Sequence, residues 1–464
     1  MDEPSIRRPK EPLTLDTLPV EIQEAILSQL DSICTLKAAA ASYKSLGDLV
    51  SYYPDRIVKP ILRSTVPDDI FPQALVVFRS SRLRTINVEI VENILGDYFK
   101  SLKSISRPAL SLQKAAALED FHQLVQAFSE VFVSNALSKH PISGAKEYHP
   151  RNASTSELYR IQRSLYRFEL CCNLFKKKER QKDPSRHPPL AISPRDQLRL
   201  FFHRLSPWEN EQLGCIHDFL LRIINKAYND VAAHDVDWGV QRKSYIEEFR
   251  VTQMDDDRNR YLLMGLRYIN RLGTEGDTFE RRLEILSEPT RLDPLHHFLG
   301  RALKESNAVT DNVQLCEYSE ERLSCEPRLP AMKDRDGPIE VWRVTHWHTS
   351  SKSFVMADEH IPLRERGYVM WDTDRLLEWG LLNTPWRPPP PESFYPSRKV
   401  EDEMRRSYSR RREISLDGGS GWWSENDESK VVYRKYEFNR RLQRYKEVEF
   451  IISPSGERVY ISND

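Results

Sequence analysis

The chain has 464 residues, enough for two to four domains and a substantial buried core. Its 69 basic and 69 acidic side chains cancel, which excludes a global attraction to nucleic acid or to anionic membranes; neither is expected as a partner. No apolar run approaches the roughly 20 residues that span a bilayer, and the charged, proline-containing start Met1–Pro12 lacks an apolar leader. The expectation is therefore an intracellular protein, of the cytoplasm or the nucleus. Cys34, Cys171, Cys172, Cys215, Cys316 and Cys325 form no C-x-x-C pair and no spaced framework, so reduced thiols are expected.

In chain order, Leu18-Pro19-Val20-Glu21 opens a helix with proline in its first turn and carboxylates Glu21 and Glu24 near its positive end. Ile22, Ile26, Leu27 and Leu30 form its apolar face. Ser32 is placed to cap a second helix, from Ile33 to about Lys44. A third runs through Leu46, Leu49 and Val50, with Pro54 as its expected end; Pro60, Pro67 and Pro72 punctuate the segment after it. Helical patterns resume over Arg84–Ser104 and Leu112–Leu137. Leu158, Ile161, Leu165, Phe168, Cys172 and Phe175 then step by three and four along one face, ahead of a basic end (Lys176–Lys182).

After the proline-rich stretch Asp183–Ile192, two start signals appear at Ser193-Pro194-Arg195-Asp196 and Ser206-Pro207-Trp208-Glu209, the second a full capping-box pattern. Leu213, Ile216, Leu220, Ile223 and Ala227 continue from it, and further helices are expected over Gln241–Met254, Arg258–Leu272 and Leu295–Ser306. Beyond about Asp311, Val341–His348 and Gly367–Trp371 have strand-like composition, Thr373–Leu382 is helical, and Pro385–Pro396 breaks the chain. Arg398–Asn426 is charged and reads as disordered. Glu447–Ile452 and Arg458–Ile461 form an expected hairpin around Ser453-Pro454-Ser455-Gly456.

The fold class is thus mainly α, with an N-terminal three-helix unit, an irregular multi-helix domain and minor β-structure near the C-terminus. The expected divisions are a tail (1–12), a helical module (13–60), an irregular helical domain (61–310), an aromatic-rich α+β region (311–386), a disordered linker (387–430) and a hairpin-containing tail (431–464).

The motif Leu18-Pro19-x-Glu21-Ile22-x-x-x-Ile26-Leu27-x-x-Leu30, followed by Leu36, resembles the opening of an F-box. Three such short helices cannot hide all their leucines and isoleucines internally, so apolar surface is left for a partner. The resemblance implies docking on the Skp-type adaptor of a cullin-RING ubiquitin ligase, with Leu18, Pro19, Ile22 and Ile26 as contacts and Leu27, Leu30 and Leu36 as core. The sequence departs from the family where a valine-cysteine pair and a tryptophan are common: it has Ala41-Ser42-Tyr43-Lys44-Ser45. Arg163–Phe175, Ser206–Leu213 and Arg366–Asp372 with Arg375-Leu376 and Trp379–Leu382 are similar to elements of fungal F-box proteins. The resemblance implies a receptor that brings an unknown protein target to the ligase, without catalysis or a cofactor of its own. A helical interaction scaffold without ligase docking is the alternative.

Five of nine tryptophans (Trp342, Trp347, Trp371, Trp379, Trp386) fall within 45 residues. With Arg343 and Arg375 among them, Trp342, Trp347, Trp371 and Trp379 are candidate target-binding residues, since Trp and Arg anchor interfaces; a packed core is the competing reading. An enzyme reading would place His346 and His348 on one strand face, with His360 and Asp358 or Glu359 completing a metal set, but no third ligand is identified by a known pattern and no metal is expected. Gly418-Gly419-Ser420-Gly421 resembles a nucleophile elbow but continues with Trp422, and no phosphate loop or dinucleotide fingerprint is present. Arg405, Arg406, Arg410, Arg411 and Arg412, interleaved with Tyr408, read as a solvated run offset by nearby carboxylates.

Overall fold

The computed structural model describes residues 15–102, 110–146, 152–175, 192–245, 256–288, 299–306, 314–317, 337–349, 354–383, 386–387, 397–439, 444–453 and 455–461. It is mainly helical, with one four-stranded antiparallel sheet near the C-terminus. Two compact units are distinguished: Met1–Val133 with Leu158–Leu170, and Ser134–Glu157 with Cys171–Asp464.

The first unit opens with α1 (Val20–Ser28), α2 (Ile33–Ser42), α3 (Lys44–Tyr52) and α4 (Pro54–Thr65), and continues through α5 (Phe71–Ser81), α6 (Val88–Ser101) and α7 (Leu112–Ala136). Leu27, Ile33, Leu36, Leu46, Leu49, Val50, Ile57, Val58, Ile61 and Leu62 are buried and hold α1–α4 together. Ser32 caps α2 by accepting from Thr35 N at 3.0 Å. Glu119 of α7, itself buried, accepts from Ile33 N (2.9 Å) and Cys34 N (3.2 Å). One carboxylate thus satisfies two of the orphan donors of α2, where the helix dipole favours negative charge.

Pro54 begins α4 instead of ending α3, because a proline lacking its N–H is tolerated in a first helical turn. Pro60 lies inside α4 on its exposed side, where water can take up the freed carbonyl.

In the second unit, the first start signal gives α9 (Pro194–Leu200), with Ser193 Oγ accepting from Asp196 N. The second gives α10 (Pro207–His234), with both bonds of the capping box formed between Ser206 and Glu209. The preceding helix, α8 (Thr155–Phe175), contributes its central residues 158–170 to the first unit and its flanks to the second. Around α10 lie α11 (Val236–Val240), α12 (Asp256–Leu262), α13 (Leu266–Thr274), α14 (Phe279–Ser287) and α15 (Gly300–Glu305). The sequence pattern predicts one helix over 258–272; two form, because Gly265 turns the chain with φ +81°. Residues 246–254 and 295–298 of the other two expected helices lie outside the described residues, as do Lys176–Lys182 and most of the neighbouring proline-rich stretch.

The expected strand Val341–His348 is instead α16 (Pro338–Thr345), and Gly367–Trp371 is a 3-10 turn over Tyr368–Met370. Aromatic and β-branched content misleads here, because fit to a buried tertiary surface decides between helix and strand for short apolar runs. α17 (Ile361–Glu365) and α18 (Thr373–Glu378) complete this region. The expected disordered run contains α19 (Arg398–Leu416), capped by Ser397 and anchored by Arg411. Arg411 is fully buried, donates from Nη1 to the carbonyls of Ala232 (2.6 Å) and Asp235 (2.8 Å), and lies over the rings of Tyr245, Tyr408 and Trp423. Gly239 leaves space for it: a Cβ there would meet the guanidinium.

The sheet comprises β1 (Gly419–Gly421), β2 (Val431–Asn439), β3 (Arg444–Ile452) and β4 (Arg458–Ile461), in that spatial order. The β3–β4 hairpin turns where expected, with Ser453 N donating to Glu457 O at 2.8 Å. Val236, Ile414, Trp423, Val431, Tyr433 and Phe450 form the core beneath it.

A buried ionic cluster joins α10 to α17 and its flanking segments. Arg364 donates from Nε to Asp218 Oδ2 at 2.7 Å, and from Nη1 to Glu211 Oε1 at 3.3 Å and Ala357 O at 2.8 Å. Tyr368 Oη and Met356 N also donate to Glu211. Replacing Arg364 with Met should cost about 3–5 kcal/mol of unfolding free energy, because two carboxylates stay buried without their cation. Denaturant titration at pH 7 measures this; a loss below about 1 kcal/mol would show that the cluster does not stabilise the fold.

Candidate functional site

Two surfaces answer to the residues singled out in the sequence. The first is on α1. Pro19 occupies its N-cap position, and its carbonyl accepts from Ile22 N (2.9 Å) and Gln23 N (3.0 Å). Gln23 folds back, donating from Nε2 to Leu18 O at 2.8 Å, which fixes the entering turn. The outer side of the helix is open to solvent. Val20, Ile22 and Ile26 are 47%, 48% and 41% exposed, Pro19 is exposed and Leu18 half-buried. Leu27 and Leu36 are buried, and Leu30 is half-buried. Tyr43 stands exposed between α2 and α3.

The second surface is a cavity of about 650 Å³, lined by Glu340, Arg343, Trp347 and His348 of α16 and its end, by Glu359 and His360, and by Leu382, Asn383 and Trp386. Of the candidate target-binding residues it contains only Trp347, which is 44% exposed, and Arg343. The others are structural. Trp342 is buried against Trp208 and donates to Phe354 O at 2.9 Å. Trp371 is fully buried, donates to Arg366 O at 2.7 Å and meets Trp379 edge-on. Arg375 lies over both of these rings and makes a two-point pair with Glu157, Nε to Oε1 and Nη2 to Oε2, each 2.8 Å. The clustering in sequence therefore largely reports a core. Tryptophan cannot reveal from sequence which rings will be covered, since its size makes it useful in both places.

The histidine pair is corrected too. Because 338–345 is helical, His346 and His348 do not share a face: His348 is exposed on the cavity wall and His346 is buried beneath. His346 lies against His360, ring centroids 4.1 Å apart. His346 Nδ1 is 2.9 Å from Trp342 O and His360 Nε2 is 3.2 Å from Thr345 O. Carbonyls only accept, so those two nitrogens carry the protons, leaving His346 Nε2 and His360 Nδ1 as acceptors without a partner among the described residues. Burial holds both rings neutral. It pushes His346 down to about 3, and pushes His360 well below its ordinary value with help from His346. Among the described residues no group of three or more His, Cys, Asp or Glu side chains is arranged to hold a metal ion.

The remaining motifs are structural as well. Gly418, at φ +84°, and Ser420 belong to the turn and strand pairing with β2. Of the arginine run, Arg411 is buried and Arg410 pairs with Glu428 and Glu413, while Arg405, Arg406 and Arg412 are exposed on α19. No helix among the described residues is long and apolar enough to cross a membrane.

The neutral imidazoles fix a sign for acid stability. A base whose folded pKa is depressed contributes its full stability above the unfolded value of about 6.5, and loses it as pH falls towards the folded value. Stability should therefore fall between about pH 6.5 and pH 4.5. A His346→Gln variant should lose less over that window, by on the order of 2 kcal/mol. Urea titrations of both proteins at the two pH values test this, and identical pH slopes would contradict the assignment.

Compared with protein-family models, curated proteins and solved structures, the chain matches none of them.

Proposed function

We propose that the chain is the substrate-recognition subunit of an SCF-type ubiquitin ligase. Its N-terminal helices bind a Skp-type adaptor joined to the cullin complex, and its second unit holds a protein target. The observation that carries this reading is the outward apolar surface of α1. Ile22 and Ile26, on one side of the helix, stand in solvent, as does Val20 at its start, while Leu27 of the same helix and Leu36 of α2 are sealed inside. Exposed branched side chains along one short helix, next to a proline-fixed turn, form the kind of surface a partner covers. The resemblance of Leu18-Pro19-x-Glu21-Ile22 to an F-box opening supplies the partner's identity. On this reading the chain performs no chemistry. It raises the effective concentration of target lysines near the conjugating enzyme, and the covalent steps belong to other subunits.

Because Ile22 and Ile26 are exposed, replacing both with Ala should leave the unfolding midpoint nearly unchanged while weakening adaptor binding by about 1–4 kcal/mol. Leu27→Ala should do the reverse, costing about 2–5 kcal/mol of stability through a cavity in the core. Calorimetric titration of purified adaptor into the wild-type chain and the double variant decides the matter. Equal affinity for both proteins would show that α1 is not the contact, and no binding at micromolar concentration would favour a helical interaction scaffold without ligase docking.

A further inference from the structure

The cavity beside α16 brings two tryptophans and two carboxylates onto one wall. Trp347 presents nearly half its surface to solvent, and Trp386 lines the same volume. Glu359 makes no hydrogen bond or ion pair among the described residues, and Glu340 accepts only from Thr373 Oγ1, at 3.2 Å. Arg343, also on the wall, already has a partner. The volume of about 650 Å³ falls in the range of about 300–1,000 Å³ common to ligand sites.

Charge decides what such a site prefers. Indole faces carry negative quadrupole potential and attract ammonium or guanidinium groups more strongly than other rings do. Two carboxylates add to that potential. The buried floor does not oppose it, because the His360 ring is neutral and its Nδ1 lone pair has no donor bound to it. An anion would meet two carboxylates against the single guanidinium of Arg343, so the net charge of the wall favours a cation.

We propose that this cavity receives a cationic side chain, the guanidinium or ammonium group of an arginine or lysine on a protein target. Trp347 and Trp386 supply the aromatic surface, and Glu340 and Glu359 supply the charge. The inference rests on the reading of the second unit as target-binding, and it narrows the target to one that exposes a basic residue within an accessible segment.

The test uses the full chain, with tryptophan indole nitrogens labelled with 15N. It is titrated with N-acetyl-arginine amide, N-acetyl-lysine amide and the uncharged N-acetyl-norleucine amide. The indole resonances of Trp347 and Trp386, identified from Trp347→Phe and Trp386→Phe variants, should move with the two cationic probes. The norleucine probe should bind at least about tenfold more weakly, the scale set by a cation over an indole ring. Glu340→Gln with Glu359→Gln should reduce the response to the cationic probes by a similar factor, with the dispersion of the other indole signals reporting an intact fold. Equal response to norleucine amide, or no movement of either resonance up to the solubility of the probes, overturns the proposal. The norleucine comparison decides it even if the double variant fails to fold. Adaptor binding by α1 is scored separately: probes that bind without adaptor binding leave the cavity assignment standing and remove the ligase reading, whereas adaptor binding without probe binding does the opposite.

Discussion

The guanidinium of Arg364 is the constraint on which the second unit depends. It is almost completely buried, and so are Glu211 and Asp218, the carboxylates it joins. Desolvation alone would drive Asp218 to its neutral form. The adjacent arginine outweighs that and holds the carboxyl well below its usual range, with a further hydrogen bond from His217. Desolvation likewise works against the Arg364 charge, and the two carboxylates overcome it. Asp218 therefore stays charged because Arg364 stands beside it, and removing the arginine would leave that carboxylate buried without its counter-charge. Through Met356 N, Ala357 O and Tyr368 Oη, the same cluster fixes the segments on either side of α17 against α10. His360 lies on one of those segments, and α16 packs against the turn at Tyr368–Met370. The cavity wall is thus tied to an ionic lock: His360 N donates to Ala357 O, the same carbonyl that takes a bond from Arg364.

The first unit is organised differently. Its four short N-terminal helices bury one residue in three to five, and α7 adds a polar support: Glu119 satisfies the first amides of α2. That arrangement fixes α2 without covering the outer side of α1, so apolar surface at Ile22 and Ile26 coexists with a well-filled interior. An exposed isoleucine by itself means little. Two on one helical face, beside a proline-set turn and an exposed valine, are a reason to look for a partner.

Helix starts are the most legible feature of the chain. Ser32, Ser193 and Ser206 cap where their spacing places them, since a cap is a local bond between a side chain and an amide three residues on. Periodic apolar faces locate α7, α8 and α10 for the same local reason. Exposure, by contrast, is not legible from composition. The arginines of α8, Arg160, Arg163 and Arg167, are charged residues that are nonetheless buried, with Arg167 Nε 3.4 Å from Tyr98 Oη. Arg411 sits in a run that reads as disordered, yet it is fully enclosed by rings and carbonyls from distant parts of the chain.

The division reflects the range of the interactions. Elements set by neighbours within one or two helical turns (the capped helix starts, the long amphipathic faces and the β3–β4 hairpin) are determined by the sequence alone. So is the apolar face of α1, because two isoleucines four residues apart must share a side. Whether that side would be covered was a tertiary matter, as was the sorting of Trp342, Trp371 and Trp379 into the core and Trp347 onto a cavity wall. Those outcomes turn on partners roughly ten to more than two hundred residues away, such as Phe354 for Trp342 and Glu157 for Arg375, and no local pattern encodes an encounter at that separation.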